Sequence, residues 1–110
     1  MGDLTRTRVH VRSLRRAGVA VPAGATGMRA RVVILKPGED MAWHSTQGRE
    51  ELLLVLQGSV QLEVQTSQRR AHRERLTVGQ CAFVLSQVLH RTVNRSRNPI
   101  RYLYVTAPAR

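Results

Sequence analysis

Two histidines and one glutamate are the residues best suited to chemistry in this chain. His44 and His90 each sit in or beside a stretch of β-favouring composition, and Glu51 opens the run that follows His44. Neutral imidazole nitrogen and carboxylate oxygen together suit divalent Zn, Fe, Mn, Ni or Cu. Two histidines and one carboxylate, with positions left open, are the arrangement of non-haem iron sites. A lone histidine in a strand is more often a hydrogen-bonded core residue, so residue type alone decides nothing. The acids add a local signal: Glu39, Asp40, Glu50 and Glu51, four of the seven, crowd around His44 in a chain that otherwise avoids them.

The elements that must position these groups read as short strands. Runs near 7–13, 28–35, 41–46, 51–57, 59–66, 71–77, 81–85, 89–95 and 100–106 are rich in β-branched residues or leucine. Pro37-Gly38, Gln57-Gly58, Val78-Gly79 and Asn98-Pro99 separate several of them. Gly58 lies between LLLVLQ and SVQLEV, where a tight hairpin needs positive φ. In SVQLEVQ, Val60, Leu62 and Val64 alternate with Gln61, Glu63 and Gln65, the pattern of a half-buried strand. Residues 1–26 read as extended or irregular, and Gly18, Pro22 and Gly24 argue against a helix there. Regularly spaced short strands predict an all-β sandwich or barrel. Along such strands side chains of one parity point inward. Thr46 then follows His44, Leu53 and Val55 follow Glu51, and Glu50 points away.

Composition bounds the function. At 110 residues the chain suits one domain with one core. A 42% hydrophobic content fits a globular protein, and no stretch approaches a membrane span. The N-terminal sequence lacks the apolar segment of a secretory signal, so a cytoplasmic protein is the expectation. The single cysteine, Cys81, excludes an internal disulfide and reads as a buried residue of the apolar run CAFVL. The net charge of +11 raises the question of nucleic acid. Of the 18 basic residues one is Lys36 and 17 are arginine, a bias that genome composition also produces. The densest run, Gln68–Arg75, carries no aromatic residue on which a base could stack, so nucleic acid is not the expected partner.

The stretch from Gly38 through His44, Thr46 and Glu51 to Gly58 resembles the first cupin motif, G-x5-H-x-H-x3–4-E-x6-G, with Thr46 in place of the second histidine. The stretch from Gly79 to Asn94 resembles the second, G-x5-P-x-G-x2-H-x3-N. There Leu85 replaces the proline and Gln87 the glycine, while Gly79, His90 and Asn94 keep their places. The motifs cover residues 38–58 and 79–94, and the resemblance implies one small cupin domain over 1–110. It implies a cupin-type antiparallel β-barrel, or jelly roll, with one divalent ion held by His44, Glu51 and His90. A neutral threonine hydroxyl is a poor ligand, so Thr46 is expected to position water or substrate. The alternative is a degenerate site in a barrel that serves only as a pocket.

Tyr102 and Tyr104 share one parity on the last strand and either line the pocket, orienting a substrate oxygen, or cover the outside. Trp43 is expected on the face opposite His44 and Phe83 in the core. His10 and His72 are read as surface residues and Arg49 as solvated. The expected activity is metal-dependent chemistry on a small organic molecule, of dioxygenase or isomerase/cyclase type, with no separate general base visible. The alternative is a non-catalytic module that senses or stores a small ligand. The resemblance also implies a homodimer.

Overall fold

Alternating burial along the strands builds the fold. In the computed structural model, which describes residues 8–66 and 70–110, eight strands form two antiparallel sheets and no helix occurs among the described residues. The strands are β1 (Gly18–Val19), β2 (Arg29–Leu35), β3 (Arg49–Gln57), β4 (Ser59–Gln65), β5 (Ala71–Thr77), β6 (Cys81–Val84), β7 (His90–Val93) and β8 (Ile100–Pro108). One sheet runs β1-β2-β8-β3-β6 and the other β5-β4-β7. The all-β architecture predicted from the strand spacing is the one observed.

The core lies between the sheets. Val33, Leu35, Leu53, Val55, Ile100 and Tyr102 from one side meet Val60, Leu62 and Leu76 from the other. Full burial of each such aliphatic chain is worth about 1.5–3 kcal/mol. Gly58 closes the β3–β4 hairpin at φ +75°, and a Cβ there would lie 2.8 Å from Ile100 Cγ2. Conformation and space both require glycine at this position.

Several expectations change. The run 7–13 is not a strand in its described part; the first strand is the two-residue β1, paired with Val32 and Arg31 of β2. The run 41–46 is not a regular strand either. It lies along β7 through isolated bridges at Asp40–Val93 and His44–His90. Gln68 and Arg69 of the basic run lie outside the described residues.

Cys81 is exposed, and so is Phe83 at 58%. On β6 it is Ala82 and Val84 that face inward, while Cys81 pairs with Leu54 and Phe83 with Leu52 on the sheet's outer surface. That surface, with Leu52 and Ile34 also exposed, is apolar although none of the described residues covers it there. An apolar run therefore does not reveal which of its two faces is covered. His10 is only half-exposed, its Nε2 shut from solvent, whereas His72 is exposed as expected.

Candidate metal centre

His44 and His90 face each other across a two-way backbone pairing. The amide of each donates to the carbonyl of the other at 2.9 Å. Directly opposed residues of an antiparallel pair project to the same side, and the two rings lie 4.5 Å apart between centroids, tilted by 53°. The neighbouring positions project to the other side. There the Arg91 guanidinium lies 5.0 Å from the centre of the Trp43 ring, a cation–π contact. Trp43 thus occupies the face opposite His44, as parity predicts.

Each imidazole is held by its own strand. Nδ1 of His44 lies 2.9 Å from the Ala42 carbonyl, and Nδ1 of His90 lies 2.9 Å from the Val88 carbonyl. A carbonyl can only accept, so Nδ1 carries a proton in both rings and Nε2 is the nitrogen available to an ion. This is the arrangement in which a metal-binding histidine is oriented by a hydrogen bond from its second nitrogen. Without an ion, His90 Nε2 carries a second proton and donates it to Glu51.

Glu51 arrives from the opposite sheet. It sits on β3 between Thr106 of β8 and Val84 of β6, and is only 4% exposed. Its Oε2 lies 3.2 Å from His90 Nε2, across the interior of the sandwich. Burial opposes protonation of His90, but the Glu51 hydrogen bond, the Val88 carbonyl and the Glu51 charge outweigh it. The imidazole pKa is raised above its ordinary value. One donor atom from each of His44, Glu51 and His90 lies within 4.8 Å of the other two. Glu51 and His90 are buried while His44 is exposed, so the group opens to solvent on the His44 side.

The donor set suits a divalent ion: two fixed imidazole nitrogens, and a carboxylate whose burial would be costly without a cation beside it. The group borders a cavity of about 330 Å³. Thr46, Tyr102 and Tyr104 line it as well, so both tyrosines face the pocket rather than the outside of the sheet. Tyr102 is buried and its hydroxyl lies 2.6 Å from that of Thr92. Burial above all, with the nearby Glu51 charge, pushes its pKa far up despite the Thr92 contact, so the phenol stays protonated. The Thr46 hydroxyl donates to the Arg49 carbonyl at 2.6 Å, which leaves its oxygen free only to accept.

The four acids near His44 have different partners. Only Glu51 joins the group. Glu39 accepts the Lys36 amide at 2.6 Å, and Asp40 lies 3.7 Å from Arg91. Asn94, the last residue of the second motif, is fully buried; it donates to the carbonyls of Leu35 and Asn98 and accepts from Ser96. It ties the β7–β8 turn to β2.

Two arginines line the cavity that the sequence did not place there, Arg29 and Arg49. Arg49, expected to be solvated, is half-buried, and three hydrogen bonds fix its guanidinium. The signal was available, because Arg49 has the parity of Glu51, Leu53 and Val55. Starting the strand at 51 rather than 49 concealed it.

No curated protein matches the sequence. Solved structures do match. A recombinant oxalate oxidase in complex with glycolate superposes with TM-score 0.69 at 14% identity, over 74% of this chain and 42% of its own. The Schizosaccharomyces pombe Cnp3 cupin domain gives 0.72 at 16% identity, over 91% of this chain and 69% of its own. A sugar phosphate isomerase of the cupin superfamily from Silicibacter pomeroyi gives 0.65 at 22% identity, over 78% and 54%. This chain spans about half or less of the length of the oxidase and the isomerase. Identities this low establish a shared fold alone. The family model described as "Cupin domain" matches residues 31–106, which include both motifs, so the chain belongs to the cupin domain family.

Proposed function

We propose that His44, Glu51 and His90 bind one divalent metal ion and that the cavity beside them receives a small organic molecule. The observation that carries this reading is that both imidazoles hold Nδ1 against a backbone carbonyl, that His90 Nε2 faces the buried Glu51 carboxylate, and that a donor atom of His44 lies within 4.8 Å of both. When bound, a divalent ion supplies Lewis-acid polarisation of a substrate oxygen and, if redox-active, electron transfer. The chain's own residues bind and orient. Tyr104 lines the cavity half-exposed and is the phenol suited to a substrate oxygen, while Tyr102 is engaged with Thr92. Thr46 offers an acceptor to water or a substrate hydroxyl.

The favoured activity is dioxygenase-like oxidation or an isomerase- or cyclase-type reaction. An oxalate oxidase and a sugar phosphate isomerase among the structural neighbours support this reading, as an oxidase and an isomerase built on the same fold. A non-catalytic ligand-binding module is the alternative, and turnover that depends on metal separates the two.

The test is metal content by mass spectrometry after incubation with Fe, Mn, Ni, Cu and Zn. About one equivalent in the wild type, lost in His44→Ala, Glu51→Ala and His90→Ala, supports the centre. A wild type that takes up none of the five overturns it.

We further propose a homodimer through the outer face of the five-stranded sheet. Leu52 and Phe83 are exposed there as a cross-strand pair, Leu54 and Leu103 continue it half-buried, and Ile34 is exposed beside Arg101 on the same face. Sedimentation should give a dimer for the wild type and a monomer for Phe83→Lys. A wild-type monomer at physiological salt would refute it.

A further inference from the structure

We infer that Arg49 and Arg29 form an anion-recognition subsite in the wall of the metal cavity, and that the ligand is a small carboxylate. This deepens the proposed function and rests on it for the metal alone. Both arginines line the same cavity as His44, Glu51 and His90. They stand on neighbouring tracks of the five-stranded sheet: Arg29 pairs with Thr106 of β8, and Arg49 with Pro108 of the same strand.

A guanidinium has five N–H donors. For Arg49, Nε donates to the Thr106 hydroxyl at 2.9 Å, and Nη2 donates to the carbonyls of Gly27 at 2.7 Å and Thr106 at 2.9 Å. Three donors are thus spent on holding the group still, and both hydrogens of Nη1 remain. No ion pair involves Arg49 or Arg29 among the described residues. The acids that neutralise arginines elsewhere, Glu63 and Asp40, act on Arg73, Arg91 and Arg95 instead.

The cavity therefore holds two positive guanidinium groups against one carboxylate, Glu51, before any metal is counted. A divalent ion at Glu51 would leave the site more positive still. Such a field favours an anion and disfavours a neutral or cationic ligand. The two free N–H groups of Arg49 Nη1 and the Arg29 guanidinium, unpaired among the described residues, offer charge-assisted donors to a carboxylate. At about 330 Å³ the cavity is at the small end of ligand pockets, which suits a small acid rather than a long chain. One carboxylate at the arginines leaves a second oxygen of the same molecule for the metal side.

A purely structural account of Arg49 is that it latches the start of β3 to β8 and to Gly27. Arg29 has no comparable role, because it is exposed and makes no side-chain hydrogen bond within the described residues. Arg29→Gln therefore tests the subsite without loosening the latch, and Arg49→Gln tests the fixed member.

The experiment is calorimetric titration of malonate, with uncharged malonamide as the control, into metal-loaded and metal-free protein. Malonate should bind the wild type at least tenfold more tightly than malonamide. Arg29→Gln and Arg49→Gln should each weaken malonate about tenfold or more, with metal content unchanged. Equal affinity for malonate and malonamide, or malonate binding that both variants retain in full, would overturn the inference. If the wild type takes up no metal, the metal centre fails by itself. Malonate binding to the metal-free protein that is lost in Arg29→Gln would then still support the subsite, and no malonate binding to either form would end it.

Discussion

The amide of Gln87 donates to the carbonyl of Gln47 at 2.9 Å, and both residues hold left-handed backbones, at φ +67° and +54°. The two loops at the cavity are thus joined by a pair of residues in a conformation that costs an L side chain about 1 kcal/mol or more. Gln87 occupies the place where the second motif has glycine. Because the joining bond is made by backbone atoms, Gln87→Gly keeps it and relieves the strain. Glycine's extra unfolded-state freedom offsets part of the gain, so the expected stabilisation is about 0.5–1 kcal/mol. A urea midpoint that rises checks it; one that falls would show that the Gln87 side chain itself stabilises the loop.

The two histidines should separate stability from metal binding. His90 is fully buried against Glu51, so in metal-free protein His90→Ala leaves a buried carboxylate unpaired and should cost about 3–5 kcal/mol. His44 is exposed, and His44→Ala should cost about 0.5–1 kcal/mol. Both variants should nevertheless lose the metal. Denaturation curves beside metal analysis check the pair, and equal destabilisation by the two substitutions would contradict the burial difference.

Glu63 predicts a pH dependence. It is 1% exposed on β4, yet it accepts from Gln61, Arg91 and Arg95 and pairs with Arg73 on β5. Burial alone would raise its pKa, but the hydrogen bonds of Arg91, Gln61 and Arg95 and the Arg91 charge hold it below the ordinary 4.5. The stability contributed by the ionised form is present above pH 4.5 and lost as pH falls through the lower folded value. Glu63→Gln should cost about 1–3 kcal/mol at neutral pH, and the gap from wild type should narrow below pH 4.5. Thermal melts from about pH 3 to about pH 7, on the order of one pH unit apart, would detect this; a gap that stays constant would contradict it.

Gly58→Ala should destabilise by about 1–3 kcal/mol, because it adds a Cβ at 2.8 Å from Ile100 and at positive φ. The expected signature is a lowered denaturation midpoint with metal content unchanged. An unaffected midpoint would mean that the β3–β4 hairpin relaxes to admit the methyl group.

The clustering at the candidate site was legible because metal chemistry constrains residue type and strand parity constrains direction. His44, Glu51 and His90 could be read from those two rules and the motif spacing, and parity also placed Leu53, Val55 and Trp43. What escaped depended on which surface is covered. Cys81 and Phe83 belong to an apolar run, but on β6 the alternate residues Ala82 and Val84 supply the core. The short pairing of β1 was hidden because residues 18–19 carry little β-favouring pattern and are held by their partner strand. Arg49 was missed at a strand boundary, where composition changes gradually but direction is already set by the pleat.

The reciprocal backbone bonds of His44 and His90 make this pair of candidate ligands a rung of the protein's own ladder. Opening that rung to hydrogen exchange and separating the two imidazoles are therefore one event. Metal loading should slow exchange at the amides of His44 and His90 in particular, giving a residue-level reporter of occupancy that needs neither a substrate nor a coloured ion. For an ion held by the proposed centre, release would then be limited by how often the His44 segment parts from β7.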